Sequence, residues 1–141
     1  MSFSLWRIAT DAREYEATDL SGKGAESSGG RWNRPGQPVV YTASTASLAC
    51  LETVVHLNAA SLPLNRFLVR IDVPDAVWQA RQTWRLEDLP VGWSAVPEGK
   101  VSLDLGDKWL HTRESALLVV PSVVVPEEFN VLINPLHPSA K

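Results

Sequence analysis

The stretch Gly29-Gly30-Arg31-Trp32-Asn33-Arg34-Pro35-Gly36-Gln37-Pro38-Val39-Val40-Tyr41-Thr42-Ala43-Ser44 carries most of the information in this chain. Two glycines precede an extended segment over Arg31 to Asn33. Arg34 to Pro38 reads as a turn, because proline and glycine punctuate it. Val39 to Thr42 is an apolar, β-branched run and reads as a strand. Ser44 then suits the N-cap of a helix from about Thr45 to His56, with Asn58 as its stop. Leu48, Leu51 and Val55 form the expected buried stripe of that helix, and Glu52 flanks it.

Three polar groups thus stand on three successive elements between residues 30 and 52. Arg31 offers a planar fork suited to phosphate, and Gly29 and Gly30 let a ligand approach the backbone before it. Tyr41 offers a flat ring for stacking. Glu52 offers a carboxylate on a rigid element, able to hold a sugar hydroxyl or to stabilise a developing cation. The combination suits a nucleotide with a cleavable glycosidic bond. Each residue also has an ordinary reading: a surface arginine, a core tyrosine, a solvated carboxylate. In an extended segment Arg31 and Asn33 face one way and Trp32 the other, so Trp32 is read as core.

The rest of the chain predicts a mixed pattern. Leu5 to Ile8 reads as a short strand and Ser21 to Gly30 as an exposed Gly/Ser loop. Asn65 to Val73 alternates Phe67, Val69, Ile71 and Val73, as a strand does. Asp75 to Lys100 holds three tryptophans and several prolines and reads as irregular with short helical turns. Asp107 to Glu114 reads as a short helix. Leu117 to Val120 and Val123 to Val125 read as strand segments bent at Pro121-Ser122. Asn130 to Ile133 reads as the last strand. More strand than helix, without βαβ alternation, gives α+β: a small mixed β core with few helices.

The bulk numbers are consistent with one domain over 1–141. Hydrophobic content of 45% and charged content of 21% favour a folded chain. The net charge of −3 argues against a dedicated nucleic-acid binder. No export signal and no membrane span are visible, and the single cysteine, Cys50, excludes an internal disulfide. The expected compartment is the cytoplasm. Cys50 and His56 fall on different helix faces, which excludes a Cys–His pair. His56, His111 and His137 show no metal-ligand spacing, so no metal is expected.

The run Gly30-Arg31-Trp32-Asn33, Gly36, Val40-Tyr41-x-Ala43, Ser47-Leu-Ala-x-x-Glu52 resembles the N-terminal half of the RES domain. Leu117-Leu-Val-Val-Pro-Ser122, then Glu128-x-Asn130-x-Leu132-x-Asn134-Pro135-x-His137, resembles its C-terminal half. Arg31, Glu52 and Ser122 match the three residue types for which the domain is named. The resemblance implies a fold similar to diphtheria-toxin-like ADP-ribosyltransferases. It implies a bacterial toxin of a type II toxin–antitoxin pair, partnered with an Xre-type helix-turn-helix antitoxin that alone would carry DNA binding. Assembly with the antitoxin or with further copies of itself stays open. The implied substrate is NAD+, broken at the nicotinamide–ribose bond by glycohydrolysis or phosphorolysis, with water or phosphate as acceptor; the alternative is a protein ADP-ribosyltransferase, with a protein as acceptor. Glu52, Arg31 and Tyr41 are then the catalytic candidates, and Arg31, Tyr41, Ser122 and Asn33 the binding ones. A reading of another class is a non-catalytic module that docks a partner through a tryptophan-rich surface.

Overall fold

The computed structural model describes residues 2–10, 18–56, 66–95 and 98–140. Its centre is a six-stranded sheet. β1 (Ser2–Thr10), β2 (Val40–Ala43), β3 (Arg66–Pro74), β4 (Gln82–Thr83), β5 (Leu117–Pro121) and β6 (Phe129–Ile133) lie in the order β3-β1-β2-β6-β5-β4. All neighbours are antiparallel except β4 and β5. Four helices accompany the sheet: α1 (Lys23–Ser28), α2 (Ala46–His56), α3 (Asp75–Gln79) and α4 (Lys100–Thr112). The α+β expectation holds.

The sheet is covered on both faces, and this explains the apolar runs. On β5, Leu117 and Val119 join Leu5, Val40, Val131 and Ile133 on one side. Leu118 and Val120 join Leu132, Trp32 and Trp109 on the other. A strand buried on both faces has no polar alternation to show. β3 is the opposite case. It is an edge strand, and only Val73 is fully buried, while Phe67 and Leu68 are exposed.

α4 begins seven residues before its expected start. Its inward stripe is Ser102, Gly106, Trp109 and Leu110, and small residues at two of these positions hide the apolar period. Gly106 is small for a steric reason. A Cβ at Gly106 would lie 1.7 Å from the Trp32 carbonyl oxygen, so the helix rests directly on that backbone. Trp32 is accordingly core, as expected, stacked with Trp93 at 6.0 Å between centroids.

Other expectations need correction. Residues 21–30 are not all loop: α1 forms there because its carbonyls are satisfied from outside. Asn33 Nδ2 donates to Ala25 O at 2.8 Å, and the Gly36 N–H donates to Glu26 O at 2.7 Å. Residues 31–33 are not extended. The Gly30 N–H donates to Asn33 O, closing a tight turn that buries Trp32 and Asn33 together. The α2 cap is Thr45, whose Oγ1 accepts the Leu48 N–H at 3.1 Å, in place of Ser44. Its inward stripe is Leu48, Ala49, Glu52 and Thr53, whereas Leu51 and Val55 are exposed. The stripe is rotated because α2 packs through Leu48 and Ala49 onto Trp6, Ile8 and Ala43. Residues 123–125 form no strand; they turn around Ser122, whose Oγ accepts the Val124 and Val125 N–H groups. The parallel pairing of β4 with β5 carried no sequence signal, being two residues long. Asn58 and Asn65 lie outside the described residues.

Candidate active site

Antiparallel pairing places Tyr41 opposite Leu132, and Ala43 opposite Asn130, so these side chains share one face of the sheet. Trp6 pairs with Ala43 on the same face. Above them α1, α2 and the 30–33 turn enclose a cavity of about 810 Å3. That volume falls within the usual range of small-molecule sites, about 300–1,000 Å3. Arg31, Tyr41 and Glu52 all line it, together with Arg7, Lys23 and Asn130.

Glu52 reaches the cavity because the rotated stripe turns it toward the sheet. Ser122 Oγ donates to its Oε2 at 2.8 Å, and Asn130 Nδ2 donates to its Oε1 at 2.8 Å. Both carboxylate oxygens are therefore held from the sheet side. Asn130 also donates to the Thr42 carbonyl at 3.1 Å.

Tyr41 is fixed at its hydroxyl, which accepts the Trp32 N–H at 3.0 Å and donates to Asn33 Oδ1. Burial pushes the phenol well above its ordinary range, so it stays protonated. Gly30 makes room for it: a Cβ there would meet the Tyr41 hydroxyl at 2.8 Å. Glycine is thus demanded at position 30 by the approach of a side chain of the protein itself.

Arg31 is half-buried. Its Nη1 donates to the carbonyls of Trp93 at 3.0 Å and Ala95 at 2.7 Å, which ties the 93–95 loop to the cavity rim. Desolvation lowers its pKa, and the nearby Glu98 carboxylate opposes that. An arginine starts so high that it remains a cation. The fork is therefore shared between the loop and the cavity.

Two expected binding residues do not reach the cavity wall. Asn33 is fully buried; its amide nitrogen serves Ala25 and Gln37 carbonyls and its oxygen serves Tyr41. Ser122 is fully buried beneath Glu52. Both stand one layer behind the residues that line the space. In the sequence Asn130 stands only as part of a motif, with no role of its own. The signal that would have found it is a polar residue on the inward face of an apolar strand, which must have a partner. Among the described residues, no group of three His, Cys, Asp or Glu side chains gathers as metal ligands. No described helix is long and apolar enough to cross a membrane.

Known proteins resemble this chain in sequence and in fold. A protein of Sphingobium sp. (strain YBL2), named Prs ADP-ribosylating toxin, is 60% identical over 141 residues, spanning 100% of this chain and 88% of its own. A protein of Yersinia enterocolitica serotype O:8, named Toxin Res, is 40% identical over 135 residues, 96% of this chain and 86% of its own. One chain of the crystal structure of the M. tuberculosis MbcT-MbcA toxin-antitoxin complex shares the fold, with a TM-score of 0.73 at 20% identity, covering 99% of this chain and 80% of that one. Residues 4–141 match the RES domain, and the chain belongs to that family.

Proposed function

We propose that this RES domain protein is the toxin of a toxin–antitoxin pair and an enzyme that consumes NAD+ by breaking the nicotinamide–ribose bond. The observation that carries the reading is the Glu52 carboxylate, held at both oxygens, on the wall of a cavity that Arg31 and Tyr41 also line.

In NAD+ the positive charge sits on the pyridinium ring. When the C1′–N bond breaks, the bonding electrons leave with nicotinamide, which departs neutral. The charge passes to C1′ and the ring oxygen of the ribose. A fixed carboxylate beside the ribose stabilises that cation, as carboxylates do in glycoside hydrolysis. Glu52 takes this role. Arg31 faces the pyrophosphate, and the Tyr41 ring stacks on nicotinamide or its ribose to hold a reactive conformation. Asn33 and Ser122 act from behind, through Tyr41 and Glu52. Water, phosphate or a protein side chain then attacks C1′ and gives up a proton.

Among these acceptors, a protein is favoured by one specific observation: the relative at 60% identity is named Prs ADP-ribosylating toxin. The docking module without catalysis loses its main support, because none of the six tryptophans is exposed. The partner is an Xre-type antitoxin that occludes the cavity in the cytoplasm and supplies all DNA binding. The decisive experiment incubates the protein with NAD+ alone, with phosphate, and with purified Prs, and follows products by mass spectrometry. We expect nicotinamide release, with Glu52→Gln lowering it about 100-fold or more in a folded protein. A folded glutamine variant retaining more than about a tenth of the rate refutes the role of Glu52.

A further inference from the structure

We propose that Asn130 is a positioning residue that fixes the plane of the Glu52 carboxylate and holds it as an anion; its place in catalysis rests on the NAD+ reading above. The argument begins with the identity of the amide atoms. The atom of Asn130 that meets Glu52 also lies 3.1 Å from the Thr42 carbonyl oxygen. A backbone carbonyl can only accept, so that atom is the amide nitrogen and its two hydrogens are divided between Thr42 and Glu52. Ser122 Oγ is constrained in the same way. It accepts the N–H groups of Val124 and Val125 at 3.2 and 3.1 Å, so its own hydrogen points to Glu52 Oε2. Both carboxylate oxygens therefore receive donors whose direction the backbone dictates. Two such donors favour the charged form.

The two donors come from different places. Ser122 follows β5, whereas Asn130 lies within β6, opposite Ala43 on one side and Val120 on the other. Asn130 is thereby anchored by ladders on both flanks, and Glu52 is pinned across the gap between α2 and the sheet. A carboxylate held at one oxygen can still rotate; held at both it cannot. Other charged or titratable groups share the cavity: Arg7 on β1, Lys23 on α1, Arg31, Tyr41 on β2, Arg66 on β3 and Asp19. They are unchanged in an Asn130 variant, so a difference between variant and parent isolates the amide.

The test is a carbon-13 NMR titration of the Glu52 side-chain carboxyl, without substrate, in the parent protein and in Asn130→Ala. Loss of one hydrogen bond to the charged form raises the Glu52 midpoint by about one pH unit. With NAD+, the acid limb of kcat moves up by the same amount, and its plateau falls about 10-fold while KM changes little. Asn130→Asp, of equal size, places a second carboxyl against Glu52 and raises the upper midpoint of the pair further, which supplies the measurement if the alanine protein does not fold. A folded variant with an unmoved Glu52 titration overturns the proposal. A moved titration in a protein that releases no nicotinamide refutes the NAD+ reading and leaves the positioning intact.

Discussion

Replacing Tyr41 by phenylalanine separates the two duties of that residue. The ring keeps its place in the cavity wall, and only the hydroxyl goes. That hydroxyl serves the Trp32 N–H and Asn33 Oδ1, both of which belong to buried residues. Each loses its partner, and a buried polar group left alone costs about 1–3 kcal/mol. Some relaxation is available to Asn33, so a total of about 2–4 kcal/mol is expected. For 141 residues the unfolding entropy is about 300 cal/mol/K, so each kcal/mol moves Tm by about 3.4 °C. The melting temperature of Tyr41→Phe should therefore fall by about 7–14 °C, read by far-UV circular dichroism. Nicotinamide release, measured well below that temperature, should fall less than about 10-fold if stacking is the chemical task of the ring. A Tm within about 2 °C of the parent refutes the claim that the hydroxyl holds the 30–33 turn. A folded variant that loses about 100-fold or more in rate shows instead that the hydroxyl acts on the substrate.

Three further outcomes follow from the same geometry. Arg31→Lys keeps the charge but loses the planar fork that bridges the Trp93 and Ala95 carbonyls and the cavity, so kcat/KM for NAD+ should fall about 10-fold or more; equal kinetics rule out a bidentate role. Gly106→Ala should destabilise by about 2 kcal/mol or more in urea unfolding, despite alanine's better helix propensity, because its Cβ meets the Trp32 backbone; a stabilised variant would show that α4 does not rest there. Burial raises the Tyr41 pKa, whereas an unfolded tyrosine titrates near about 10, so above that pH the native state keeps a proton that the unfolded chain has lost. Stability should fall with rising pH there, by up to about 1.4 kcal/mol per unit, and Tyr41→Phe should lose that component; identical slopes for both proteins refute it.

How much of this was legible from the residues alone depends on how local the cause is. Arg31, Tyr41 and Glu52 were found because each carries a chemical group with few structural uses on an apolar or glycine-flanked element, and all three line one cavity. Strand positions were legible where β-branched runs are bounded by turn residues, as at Val40–Ala43 and Phe129–Ile133. The start of α4 is hidden because its stripe runs through Ser102 and Gly106, and the reason for the glycine is Trp32, some seventy positions away. The α2 stripe is hard to read because Leu51 and Val55 look like core and are exposed, Val55 at the cavity rim, while Ala49 and Thr53 look neutral and face the cavity. No period in an eleven-residue helix tells which flank a sheet will cover.

Asn33 and Ser122 teach the converse lesson. The family resemblance places both among the binding residues. Both are fully buried, and each spends its polar atoms on the protein. What they touch explains why such residues are needed. Tyr41, on a strand, must meet the 30–33 turn, and Asn33 closes that joint. Glu52, on a helix, must meet the sheet, and Ser122 and Asn130 close that one. Arg31, on the turn, must meet the 93–95 loop, and there backbone carbonyls do the closing. Tyr41, Glu52 and Arg31 are thus each tied across a boundary between elements. A side chain anchored only through its own element would drift with that element. Loss of geometry by about 1 Å is enough to cost a site like this much of its rate. The polar residues that look like spare ligands are what hold Tyr41 and Glu52 in one frame, and substituting them should damage catalysis through those two groups without removing a contact to substrate.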